Sequence, residues 1–139
     1  MSAGKHIRAG RNCEIQLEII LVFVTKRRGK VLDKAAVARL GALFDRICQD
    51  SRAQMLRHEG TSDQVRLHIS YPAKVAVSSL VNSLKGASSR VLRNERAELD
   101  QIAVQDEGLW SPSYLAISCG ADPDGAFERA RAWVEQLDA

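Results

Sequence analysis

Between Ile15 and Val24 the chain carries two interleaved hydrophobic series, and no other stretch constrains the fold as strongly. One series is Ile15, Leu17, Ile19, Leu21 and Phe23; the other starts polar at Gln16 and Glu18 and turns apolar at Ile20 and Val22. Residues two apart share one face of a strand, so the pattern predicts a β-strand, and its mixed second series marks that strand as central in a sheet. The stretch Thr25-Lys26-Arg27-Arg28-Gly29-Lys30 then breaks the alternation with four basic residues in six. Asp33 offers an N-cap for a helix running to about Asp50, with Val37, Leu40, Leu43, Phe44 and Ile47 on its apolar stripe.

A short strand is expected from Ala53 to His58, followed by a hairpin turn at Glu59-Gly60-Thr61-Ser62 and a second strand from Gln64 to Tyr71. In that strand Val65, Leu67, Ile69 and Tyr71 are assigned to the core, and Gln64, Arg66, His68 and Ser70 to a displayed face. The next helix has Val77, Leu80, Val81, Leu84, Ala87, Val91 and Leu92 at helical spacing, with Asn82, Lys85, Ser89, Arg90 and Arg93 as a basic outer stripe. After a polar segment without a clear pattern, Trp110 to Cys119 alternates as a strand. Asp122-Pro123 then supplies an N-cap and an N1 proline for a last helix with Phe127, Ala130, Trp133, Val134 and Leu137 inward.

The order strand, helix, strand, strand, helix, strand, helix contains two split β-α-β halves. It predicts an α+β fold: a ferredoxin-like (RRM-like) antiparallel sheet with helices on one face, plus an extra C-terminal helix. The opposite face is left for solvent, ligand or a partner. A chain of 139 residues, 45% hydrophobic and 27% charged, fits one domain over residues 1–139, with a flexible basic arm at about 1–13. The net charge of +3 permits nucleic-acid binding without requiring it. Cys13, Cys48 and Cys119 are dispersed and odd in number, so their spacing encodes neither a disulfide framework nor a zinc site. The longest apolar run, Ile19 to Val24, is too short to cross a bilayer, which makes a cytoplasmic protein the expectation.

Several segments carry a family resemblance. Leu21-Val22-Phe23-Val24-Thr25-Lys26-Arg27-Arg28, Asp63-x-Val65-x-Leu67, Tyr71-Pro72, Leu84-Lys85-Gly86-x-Ser88-Ser89-Arg90, Leu109-Trp110-Ser111-x-Ser113-Tyr114 and Val134-Glu135-Gln136 occur in order from roughly Leu17 to Gln136. This set resembles the small IS200/IS605-type single-strand transposases, the HUH-like enzymes with one catalytic tyrosine. The resemblance implies a homodimer that recognises an imperfect DNA hairpin and cuts single-stranded DNA. In that family a His-hydrophobic-His pair holds a divalent metal that polarises the scissile phosphate, and a tyrosine on the C-terminal helix attacks it.

The chain departs from the pattern at those chemical positions. With Tyr71-Pro72 as anchor, the paired histidines are replaced by Gln64 and Arg66. A guanidinium has no lone pair to donate and repels a cation. His68 lies two positions too late, and its ordinary reading is a surface histidine. The Tyr-x-x-x-Gln motif reads Trp133 to Leu137, and an indole has no nucleophilic oxygen. Tyr71 and Tyr114 read as packing residues.

The sequence therefore favours a transposase-like DNA-binding protein without strand cleavage, a pseudoenzyme acting as regulator or as accessory to an active transposase. No cofactor is expected. Candidate DNA contacts are Lys26, Arg27, Arg28, Lys30, Arg66, Lys74, Asn82, Lys85, Ser89, Arg90 and Arg93, with Arg66 pairing directly with a phosphate. Two alternatives remain open: an active transposase using an atypical site with Mg2+ or Mn2+, and a dimeric scaffold without a nucleic-acid role. Aromatic residues make up only 5% of the chain, which disfavours a base-stacking platform against backbone recognition of a hairpin or duplex.

Overall fold

A computed structural model describes residues 8–9, 14–96 and 108–136. The predicted order of elements is present: β1 (Glu18–Thr25), α1 (Lys34–Asp50), β2 (Gln54–Gly60), β3 (Gln64–Ser70), α2 (Val77–Glu95), β4 (Trp110–Ser118) and α3 (Pro123–Glu135). Arg8–Ala9 pairs with Glu14–Ile15 in a two-residue antiparallel bridge. The rest of the proposed basic arm lies outside the described residues, as do residues 97–107 and Leu137.

The four long strands form one antiparallel sheet in the order β2-β3-β1-β4, the ferredoxin-like arrangement. β1 pairs on both sides, and all eight of its residues are buried. Ile19, Leu21 and Phe23 share a core with Leu40 and Phe44 of α1, Leu80, Leu84 and Leu92 of α2, and Trp110. Ile20, Val22 and Val24 belong to a second cluster with Ala126, Phe127, Ala130 and Val134 of α3.

The second face is thus not left bare, as the sequence reading had it. Leaving Ile20, Val22 and Val24 in water would cost about 1.5–3 kcal/mol for each side chain, and α3 docks there to bury them. The same docking overturns the displayed face assigned to β3: Arg66, His68 and Ser70 are only 6%, 3% and 1% exposed.

Local chemistry fixes the element ends. Asp33 caps α1 by accepting from the Ala36 amide at 2.8 Å. Asp122 caps α3 by accepting from the Gly125 amide at 2.9 Å, with Pro123 in the first turn. Gly41 lets α1 approach β2 closely, since a Cβ there would meet the His58 imidazole at 2.8 Å. β2 extends to Gly60, so the hairpin turn sits at 61–63 and not at 59–62, and Glu59 comes directly opposite Arg66.

Phe127 is the largest fully buried side chain that α3 contributes to the second cluster. Phe127→Ala is expected to lower stability by about 3–5 kcal/mol, measured by urea unfolding, through lost burial and the cavity left behind.

Candidate nucleic-acid interface

Gln64 and Arg66, which the resemblance aligns with the paired histidines, lie on β3 where it passes beneath α3. A cavity of about 370 Å³ opens there, lined by Arg28, Glu59, Gly60, Thr61, Gln64, Arg66, Arg131, Val134 and Glu135. Gln64 and Arg66 reach it because alternate β3 residues face α3. Trp133 is not among its walls: half-buried, it packs against the cluster around Ile20 and Val22.

Arg66 is committed within the protein. Its Nη1 donates to the Phe127 carbonyl at 2.9 Å, and its Nη2 pairs with Glu59 Oε1 at 3.1 Å. The guanidinium carbon sits 4.5 Å from the Phe127 ring centroid, and that of Arg57 sits 3.9 Å from the same centroid. Two guanidinium groups therefore flank one aromatic ring, and Glu59 bonds to both. Burial lowers the Arg66 pKa, with neighbouring Arg131 acting in the same direction, while Glu59 opposes them.

These residues do not fit a divalent-metal site. Arg66 presents only donors, and Gln64 brings one amide oxygen, which is buried without a hydrogen-bond partner among the described residues. An amide oxygen beside a positive charge is not a chelating pair. Among the side chains lining the cavity, the one hydroxyl belongs to Thr61 and donates to Asp63 at 3.1 Å.

The loop after β1 forms the adjoining rim. Arg27 and Arg28 both adopt φ of 54°, in the left-handed region that costs a non-glycine residue energy. The conformation is held from several sides. Thr25 donates to the Gly29 carbonyl at 2.7 Å, and the Lys26 amide donates to the Leu109 carbonyl at 3.0 Å. Arg28 pairs with Asp63 at 3.2 Å and donates to the Val134 carbonyl at 3.2 Å. Arg27 and Lys30 project as exposed side chains, whereas Lys26 is half-buried.

The remaining candidates do not converge on this cavity. Lys85 is half-buried: its ammonium donates to the Ser111 carbonyl at 2.7 Å and lies 5.5 Å from the Tyr114 ring centroid. Burial lowers its pKa. Ser89 accepts from the Leu109 amide at 3.2 Å, and buried Ser88 accepts from the Trp110 indole at 3.0 Å. Lys85 and Ser89 thus fasten α2 to the start of β4 and do not form an outer stripe. Asn82 and Arg90 line a separate groove between α1 and α2, on the other side of the sheet. Lys74 is exposed ahead of α2, and Arg93 is half-buried near its end.

Sequence reasoning missed Glu59, Arg57, Phe127 and Arg131 as neighbours of Arg66. The detectable signal was hairpin register, since a turn at 61–63 sets Glu59 against Arg66.

Residues 13–135 match the family described as "Transposase IS200 like". The transposase for insertion sequence element IS200 from Salmonella typhimurium is 24% identical over 109 residues, covering 78% of this chain and 68% of that protein; its Salmonella typhi counterpart gives the same values. The crystal structure of a Deinococcus radiodurans R1 protein classed as a transposase superposes with a TM-score of 0.83 at 24% identity, covering 95% of this chain and 98% of that one. The REP-associated tyrosine transposase bound to a REP hairpin gives a TM-score of 0.57 at 11% identity, covering 95% of this chain and 76% of that one. With the family match spanning nearly the whole chain, and the fold shared with these structures, the chain belongs to the IS200-like transposase family.

Proposed function

We propose that this protein is a DNA-binding member of its family that recognises hairpin or single-stranded DNA without cleaving it, acting as a homodimeric regulator or as an accessory to an active transposase. The observation that carries this reading is the Arg66–Glu59 pair closed over Phe127 at the position where the family places its metal ligands. A self-satisfied ion pair neither binds a metal nor activates a nucleophile, and Trp133 supplies no attacking oxygen. The hairpin bound by the REP-associated relative supports DNA as the partner class.

Phosphate contacts are assigned to exposed cations: Arg27 and Lys30 beside the cavity, Arg131 on α3, and Lys74 and Arg90 elsewhere. The sequence-based suggestion that Arg66 itself holds a phosphate would require the phosphate to displace Glu59. It is therefore not part of the proposal.

The decisive assay incubates the purified protein with labelled hairpin-containing single-stranded DNA and Mg2+ or Mn2+. Salt-sensitive binding with neither cut strand nor covalent adduct is expected, and an adduct would overturn the non-cleaving reading. Arg27→Glu combined with Lys30→Glu should weaken binding at least tenfold and flatten its dependence on salt by roughly 0.7–0.9 in logarithmic slope per lost phosphate contact.

The scaffold role of Arg66 has its own check. Glu59→Ala should destabilise the fold by about 1–3 kcal/mol, less than for a fully buried pair because Glu59 reaches solvent. Arg66→Met combined with Glu59→Gln should remain within about 1 kcal/mol of the parent in urea unfolding, since neither change leaves a buried charge unpaired.

A further inference from the structure

At the opposite end of the strands from the Arg66 cavity, three ligand-type side chains meet in the interior. Glu18 begins β1, His68 lies near the end of β3 and Cys119 follows β4; they are 7%, 3% and 3% exposed. One ligand atom from each lies within 4.8 Å of the others. His68 Nε2 is 2.8 Å from Glu18 Oε1, while Gln16 donates to the other carboxylate oxygen at 3.1 Å.

We propose that Glu18, His68 and Cys119 form a binding site for a single zinc-class divalent transition-metal ion. An imidazole nitrogen, a thiolate and a carboxylate oxygen suit zinc, whereas magnesium and calcium take oxygen ligands. Metal-ligand bonds of about 2.0–2.3 Å require the imidazole and carboxylate to part from their 2.8 Å contact, a small movement for ligand atoms already within 4.8 Å of one another.

Charge balance permits occupancy. With the ion bound, the carboxylate and thiolate neutralise its two positive charges and the imidazole stays neutral, so no net charge is buried. A thiol must give up its proton to ligate. Binding forms the metal-sulfur bond and releases that proton to solvent.

The site also has support. Gln16 orients the carboxylate from behind, as outer partners of metal ligands commonly do. A cavity of about 370 Å³ bounded by Gln16, Glu18, Tyr71 and Ser118 lies on the Glu18 side of the cluster. Because the Cys119 amide already donates to the Glu18 carbonyl at 3.1 Å, the ion would tie the connection between β4 and α3 to β1 and β3.

The full chain, stripped with chelator, is titrated with Zn2+ against a chromophoric competitor and with Co2+ as a spectroscopic probe. One ion per chain, a thiolate-to-cobalt charge-transfer band and a zinc-dependent rise in Tm are expected. The band should persist in the Cys13→Ser/Cys48→Ser double variant, where Cys119 is the sole thiol, and vanish in Cys119→Ser. The near-isosteric Glu18→Gln should weaken zinc at least tenfold while the apoprotein stays folded. Failure of the parent chain to bind stoichiometrically, or a cobalt spectrum without thiolate character, overturns the assignment whether or not any variant folds.

Discussion

Burial of β1 on both faces is the constraint on which the rest of the structure depends. Its odd-numbered side chains complete the core beneath α1 and α2, and its even-numbered ones, from Ile20 to Val24, need a second cover. A four-stranded sheet with helices on one face alone would leave that second set in water. Alpha-helix α3 supplies the cover, and in docking it converts what would be an open sheet surface into an interior. Arg66 becomes an interior residue by the same step.

Interior polar groups must find partners, and the α3 side of the sheet shows how this sequence provides them. Arg66 is satisfied by a helix carbonyl, a carboxylate and an aromatic face. His68 is satisfied by Glu18. On the other side, the Trp110 indole reaches the buried Ser88 hydroxyl. Each arrangement joins elements distant in sequence, and those of Arg66 and Trp110 favour one packing of the helices over nearby alternatives, because a shifted helix would strand a buried donor.

Features decided within a few residues were legible in the sequence. The alternation in β1, the caps at Asp33 and Asp122, and the proline opening α3 fixed the element order and, through it, the ferredoxin-like plan. Features decided by docking were not. That β3 reads apolar and polar in strict alternation says that one face is core, but it cannot say that the polar face will lie beneath a helix 57 residues further on, from Arg66 to Pro123. Lys85 sits at the margin of the α2 stripe, and only the position of Ser111 makes it an inward group. Glu59 was assigned to a turn, and a shift of two residues hid its pairing with Arg66. Glu18, His68 and Cys119 come from three separate strands or their ends, so no local spacing announces them.

On the proposed reading Arg66 stands where the family holds a metal, and the two groups differ in what they do to their surroundings. A divalent ion held by neutral imidazoles would leave two unneutralised charges facing the cavity, available to polarise a phosphate. The guanidinium carries one charge, and Glu59 answers it within 3.1 Å. Arg28 is answered in the same way by Asp63. The cavity walls hold three arginines against two glutamates, so little positive field remains concentrated at their centre. An arrangement with its charges paired internally holds α3 against the sheet. On the proposed non-cleaving reading, the same pairing leaves little to stabilise the extra negative charge that would develop on a phosphate under attack.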